Sequence, residues 1–246
     1  ATMVVLPADQ LVTDSEAFRA TIAAAGHAAR AADAVVTIGI KPTWACPSYG
    51  YIQRGRRATI SGLRGGQETE DSRFYEVERF REKPSPKLAE EFLEQGNFAW
   101  NAGIFIWTVP TVLHEFAKHC PELGDFVHSL RKSKDLAATI DSQFGDLPKT
   151  SIDYALMEKA SRVYNIEATF DWDDVGSWVS VAKYLDTVGS KNQVNSPVSE
   201  IDSENNIVFN ARKDIHIALL GVDDLIVVQA DDALLVANRH QADAIK

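Results

Sequence analysis

An α/β domain running into a β-rich one is the architecture that this 246-residue sequence predicts, and three observations carry it. First, Met3-Val4-Val5-Leu6, an alanine-rich stretch from Ser15 to Ala32 and the run Ala34 to Ile40 follow one another as strand, helix and strand. That spacing makes a βαβ unit, with parallel pairing and a right-handed crossover. Second, apolar and polar residues alternate from Tyr164 to Trp172, the period of a strand. Third, the texture changes after Gly189, where a polar linker (Lys191 to Pro197) leads into short apolar runs separated by turns. The expected domains are therefore residues 1–190 and 191–246.

Taken in order, Met3 to Leu6 is a continuous apolar run suited to a strand buried on both faces, and Pro7 stops it. Asp9 lies just past its carboxyl end, where open α/β sheets bind ligands, although a turn or capping role serves equally well. The helix Ser15 to Ala32 turns Phe18, Ile22 and Ala25 to one face. Tyr49-Gly50-Tyr51-Ile52 follows a proline loop, and Gly50 has the ordinary reading of a glycine in a hairpin strand. Arg54, Arg56, Arg57 and Arg64 cluster in an expected exposed hairpin ending at Gly65-Gly66, as solvated charge.

The stretch Phe80 to Trp107 holds the most chemistry. A strand (Phe74, Tyr75, Val77, Phe80) delivers Glu82 and Lys83, and Pro84 stops its pairing because it has no N–H. Ser85 and Pro86 start a helix with Leu88, Phe92 and Leu93 on its apolar face, and Gly96 ends it. A second strand follows, with Asn101 and Gly103 at the mouth of Ile104 to Trp107. An acid, a base, an amide and a glycine at two strand ends suit a polyhydroxylated anionic ligand; a solvated ion pair and a bulge are the plain alternative.

Pro110 opens a helix (Val112, Leu113, Phe116), and helix and loop run on to Pro148. Thr150 to Asp153 has the form of a capping box, which makes Asp153 a cap. Acidic residues crowd the end of the Tyr164 strand, and Asp174-Val175-Gly176 precedes a helix starting near Ser177-Trp178, so that Asp174 has a dipole-facing reading.

With a net charge of −10, the chain is not built for nucleic acid or an anionic membrane surface. Phosphorylated substrates would then need a divalent cation or local Lys and Arg. Two cysteines, Cys46 and Cys120, lack metal-ligand spacing and read as reduced structural thiols. With no signal peptide or membrane-length apolar run, a cytoplasmic protein is expected. The chain enters a strand almost at Ala1 and reads as a piece of a longer polypeptide.

Several of these segments together resemble the sugar-phosphate nucleotidyltransferases, in the flavour of the mannose-1-phosphate guanylyltransferases. L-P-A-D (with Gln10 where the family has His), Y-G-Y-I, E-K-P and N-x-G-I-F occur in the family's order. S-I-D-Y-A-x-M-E-K, W-x-D-V-G-S-W and D-A-L-L-V follow them. The resemblance implies a Rossmann-like domain, with a mostly parallel sheet and helices on both faces, followed by the start of a β-helix-like domain. It implies joining of mannose 1-phosphate to GTP, giving GDP-mannose and pyrophosphate. Asp9 and Asp174 would hold Mg²⁺, Glu82 and Asn101 the sugar hydroxyls, Lys83 the sugar phosphate, and Asp153 a place in the sugar site. Gly50 and Gly103 would allow close backbone approach. The family's glycine-rich triphosphate loop has no counterpart between Ala1 and Lys246, so this chain by itself is expected not to catalyse the reaction. Alternatives are another sugar-nucleotide pyrophosphorylase, a glycosyltransferase using Asp171-Trp172-Asp173 as a D-x-D metal motif, or a non-catalytic sugar-phosphate binder. A homodimer is left open.

Overall fold

The computed structural model describes residues 1–60 and 73–245. Arg64 and Gly65-Gly66 lie outside them. Contacts divide the chain into two units, residues 1–8 with 12–172 and residues 9–11 with 173–246.

The first unit contains β1 (Thr2–Val5), α1 (Ser15–Ala32), β2 (Val35–Ile40), β3 (Tyr51–Arg57), β4 (Phe74–Arg81), α2 (Pro86–Gln95), β5 (Phe98–Thr108), α3 (Val109–His119), α4 (Pro121–Lys132), α5 (Leu136–Gln143) and β6 (Val163–Glu167). Its sheet has the order β1-β5-β2-β6-β4-β3, with β3 also pairing to β5. The period-two side-chain alternation of β5 is visible in the two cores. Ile104 and Ile106 pack with α1 residues Ala25, Ala28 and Ala29 and α2 residue Phe92, while Phe105 and Trp107 pack with Val112 of α3, Leu156 and Met157. Helices thus cover both faces, as expected.

The expected mostly parallel sheet is corrected. Only β2 and β6 pair in parallel; the other described pairings in this sheet are antiparallel. The helix α1 does carry the chain from β1 to β2, but β5 enters between them and runs antiparallel to both. A continuous apolar run reports burial on two faces, not strand direction, which is why the sequence misled here. β1 is also an edge rather than a buried strand: Met3, Val4 and Val5 are 37–39% exposed.

Three further expectations change. Leu93 is exposed, and α2 buries Ala89 and Phe92 instead. The alternating strand is only Val163–Glu167; Ala168 still bonds Gly39, but Phe170 then turns edge-on to Phe18 of α1 at 5.2 Å. Arg54, expected in solvent, is mostly buried: its Nε donates to Asn165 Oδ1 (2.8 Å), Glu167 lies 3.5 Å away and Tyr75 stacks on the guanidinium at 4.8 Å. Burial pulls its pKa down against the pull of Glu167. Cys46 and Cys120 are buried free thiols.

The second unit contains α6 (Trp178–Ala182), β7 (Asp186–Val188), β8 (Asn192–Val194), β9 (Val198–Ile201), β10 (Ile207–Asn210), β11 (Ile217–Leu220), β12 (Leu225–Gln229) and β13 (Leu234–Asn238). β8, β10 and β12 stack in parallel, as do β9 and β11, around Val194, Val208, Leu219 and Val227. The turns stack too, through buried asparagines. Asn206 donates from its backbone and side chain to Asn192 Oδ1 (2.9 Å each), and its own Oδ1 accepts from Leu225 N at 2.9 Å. β8 lies inside the segment expected as a linker. Among the described residues, no helix is long and apolar enough to cross a membrane.

Candidate functional site

In the first unit the polar cluster is built where β4 and β5 meet the loop before β3. β4 ends as expected before Pro84, and Lys83 adopts a positive φ of 43°, turning the chain sharply after Glu82. Ser85 caps α2 by accepting from Leu88 N, and Gly96 closes that helix in the left-handed region. The chain re-enters the sheet through β5, where Asn101 N donates to Gly50 O at 2.8 Å. The Glu82 carboxylate takes the space a side chain at Gly50 would need: a Cβ there would lie 2.6 Å from Glu82 Oε2 and 3.5 Å from Asn101 Cβ. At Gly103 the φ is 68°, and its N–H donates to Asn101 Oδ1 at 3.1 Å.

The Asn101 amide is heavily used. Its Oδ1 also accepts from Thr37 Oγ1 (3.2 Å), and its Nδ2 donates to Asp153 Oδ1 (3.0 Å). Asp153 opens a π-helical turn, Asp153–Met157, rather than the expected capped helix. No side chain caps this turn. The carboxylate expected as a cap is instead held by Asn101. Six residues predicted from the sequence, Gly50, Glu82, Lys83, Asn101, Gly103 and Asp153, therefore come together. Thr37 was missed. It sits inside an apolar run, and only the β-bulge between Thr37 and Gly39 in the pairing with β5 brings its hydroxyl to Asn101.

Charge in this cluster is unbalanced. Burial pushes the Glu82 carboxyl above its ordinary pKa and nearby Asp153 raises it further, while Lys83 pulls it back. Burial likewise raises Asp153, against hydrogen bonds from its own backbone N–H, Asn101 and Ser151. Lys83 Nζ stands 4.0 Å from Glu82 Oε1 and is mostly solvent-exposed. Two carboxylates whose burial raises their pKa, with an ammonium beside them, suit hydroxyls and an anion.

Asp9 and Asp174 fall in the second unit. Leu11 and Asp173 form an antiparallel bridge (N to O distances of 2.9 and 3.1 Å), so the two aspartates come from neighbouring stretches of backbone. Asp9 is exposed and Asp174 half-buried. A Cβ at position 176 would lie 2.6 Å from Asp174 Oδ2, so glycine is what leaves that carboxylate its place. Two hard carboxylate donors suit a hard divalent cation whose other ligands are phosphate oxygens and water. Among the described residues, no group of three His, Cys, Asp or Glu side chains could hold a metal by itself.

Hydrogen bonding weighs against the D-x-D alternative. Asp171 accepts from Thr13 N, Thr13 Oγ1 and Asp14 N, at the start of α1. Asp173 accepts from Val175 N (3.0 Å) and Lys183 Nζ (2.7 Å). All four oxygens are already engaged.

Comparison with known proteins agrees with this architecture. The family model described as Nucleotidyl transferase matches residues 1–190, and one described as MannoseP isomerase/GMP-like beta-helix domain matches 197–246. The xanthan biosynthesis protein XanB of Xanthomonas campestris pv. campestris (strain B100) is 32% identical over 99% of this chain and 49% of its own length. Mannose-1-phosphate guanylyltransferase of Sinorhizobium fredii is 32% identical over 100% of this chain and 46% of its own. The chain thus spans about half the length of these relatives. A crystal structure named mannose-1-phosphate geranyltransferase, from Thermus thermophilus, superposes with a TM-score of 0.82 at 33% identity, covering 98% of this chain and 67% of that one.

Proposed function

Because this chain belongs to the nucleotidyl transferase family, we propose that it serves the transfer of GMP from GTP to mannose 1-phosphate, forming GDP-mannose and releasing pyrophosphate. Nucleotidyltransferases of this family generally use a divalent metal. Mg²⁺ is the ion proposed here, with Asp9 and Asp174 as its protein ligands; when bound it neutralises phosphate charge. The observation that carries the reading is the grouping of three charges: the Glu82 carboxylate fills the space beside Gly50, Asp153 acts on its charge, and Lys83 Nζ lies 4.0 Å from Glu82 Oε1.

In this reading Glu82 and Asp153 accept hydrogen bonds from hexose hydroxyls. Asn101, with one Nδ2 hydrogen still available, holds Asp153 and Gly103 in place. Lys83 holds the sugar phosphate, whose oxygen attacks the α-phosphorus of GTP as the bond to the pyrophosphate oxygen breaks. Such reactions gain mainly from positioning and charge neutralisation. The carboxylates are suited to the task because their burial keeps water from competing for the same hydroxyls.

The test measures GDP-mannose and pyrophosphate together, from GTP, mannose 1-phosphate and Mg²⁺, beside direct binding of mannose 1-phosphate to this chain. Losing a charge-assisted phosphate contact costs about 1.5–3 kcal/mol, so Lys83→Ala should weaken mannose 1-phosphate by about 10- to 150-fold and GTP much less. A loss confined to GTP would move Lys83 to the nucleotide. Binding of mannose 1-phosphate unchanged by Lys83→Ala and Glu82→Ala would end the reading.

A further inference from the structure

One charged residue beside Asp174 has no part in that reaction, yet it is firmly held. With Tyr184 among its partners, Asp173 is fixed from several directions. Its backbone N–H and C=O both bond Leu11. One carboxylate oxygen accepts from Val175 N at 3.0 Å, and the other lies 2.7 Å from Lys183 Nζ. Its side chain is only 11% exposed.

Val175, on the far side of Asp174, has a φ of 48°. A β-branched residue rarely enters this left-handed region, because its Cβ crowds the backbone. The Asp173 carboxylate accepts from the Val175 N–H across this turn. Asp174 therefore sits between an anchored residue and a strained one, and its Oδ2 reaches into the space that a Cβ on Gly176 would take. Remove the clamp and Val175 can relax, carrying Asp174 with it.

We propose that Asp173 is a positioning residue for Asp174: with Lys183 it locks the Val175 turn, and so sets the direction from which Asp174 meets a divalent cation. Asp173 is assigned the supporting part because Val175 N and Lys183 Nζ already bond its two oxygens. The proposal rests on the reading of Asp174 as a cation ligand.

The experiment titrates this chain with Mn²⁺ alone and reads free Mn²⁺ by electron paramagnetic resonance, with near-ultraviolet circular dichroism as the check on folding. Asp173→Ala should weaken Mn²⁺ by about 10- to 100-fold, as loss of a partner that orients a ligand usually does, and Asp173→Asn, whose Oδ1 can still accept from Val175 N, by only about threefold. A merely structural role would lower the melting temperature of both variants without separating their Mn²⁺ affinities, and that result overturns the proposal. If Asp174→Asn loses Mn²⁺ while Asp173→Ala binds like the parent, the positioning role is refuted and the cation reading stands. If Asp174→Asn itself binds like the parent, the cation reading falls and takes this inference with it. Should Asp173→Ala not fold, Lys183→Met decides. It removes the ion pair on one side of the same carboxylate and leaves the Val175 bond; since the proposal makes Lys183 part of the lock, parent-like affinity there overturns it, whereas a loss of about threefold or more supports it.

Discussion

Two pairs of carboxylates in this molecule are alike in sequence and opposite in physics. Burial costs the ionised forms of Glu82 and Asp153 more than their neighbours return, and both have raised pKa values. Asp171 and Asp173 are saturated. The Thr13 hydroxyl, followed by the backbone N–H groups of Asp14 and Thr13, holds Asp171 below the ordinary carboxylate range. Burial raises Asp173, but Lys183 and the Val175 N–H more than offset it. A carboxylate with its hydrogen bonds already made supports structure. One that is buried with acceptor capacity left over is available for a ligand, and carries a cost in stability until the ligand comes.

The largest effect should come from breaking the first pair's geometry without touching its charge. Gly50→Ala places a methyl 2.6 Å from the present position of Glu82 Oε2. Displacing a binding group by about 1 Å can cost about 100-fold, so mannose 1-phosphate binding, read by calorimetry, should fall on that scale with the melting temperature nearly unchanged. Binding within twofold of the parent would show that Glu82 is not where the ligand is held.

Asp171→Ala should do the reverse. It removes the acceptor shared by Thr13 and Asp14, and loss of a helix-start contact in a chain of this length should lower the melting temperature by about 2–4 °C. Sugar-phosphate binding should be untouched. Because the Asp171 pKa is depressed, its contribution is present above the ordinary carboxylate pKa and is lost as pH falls through the folded value. The parent and variant melting curves should therefore converge in acid.

Glu82→Gln sharpens the contrast with the smallest effect. A raised folded pKa means that the native state holds this proton more tightly than the unfolded chain. Stability from this group is thus greatest in acid and declines as pH rises from the ordinary value through the folded one. Removing the charge should raise the melting temperature slightly at neutral pH, with the gain vanishing below about pH 4, while mannose 1-phosphate binds less well. A variant less stable than the parent at neutral pH would mean that Glu82 is satisfied after all, like Asp171.

Much of this was legible in the sequence because it is local. Ser85, Pro86 and Gly96 fix the ends of α2 by their own chemistry, Pro84 ends β4, and the spacing of E-K-P and N-x-G marks two strand ends with one helix between them. The asparagines and turn residues after Asn205 likewise announce short strands. What required the tertiary structure is whatever depends on distant partners. The direction of β5 between β1 and β2 leaves no trace in an apolar run. Arg54 looks like any surface arginine until Asn165, Glu167 and Tyr75 close around it. Asp153 carries a capping signature and Asp171 that of a D-x-D motif. Which one stays charged at ease and which one waits for a ligand is decided by desolvation and by donors 52 and 158 residues away in sequence. Sequence patterns report which groups are present and how the chain turns locally; the energy of a buried charge is a property of everything packed around it.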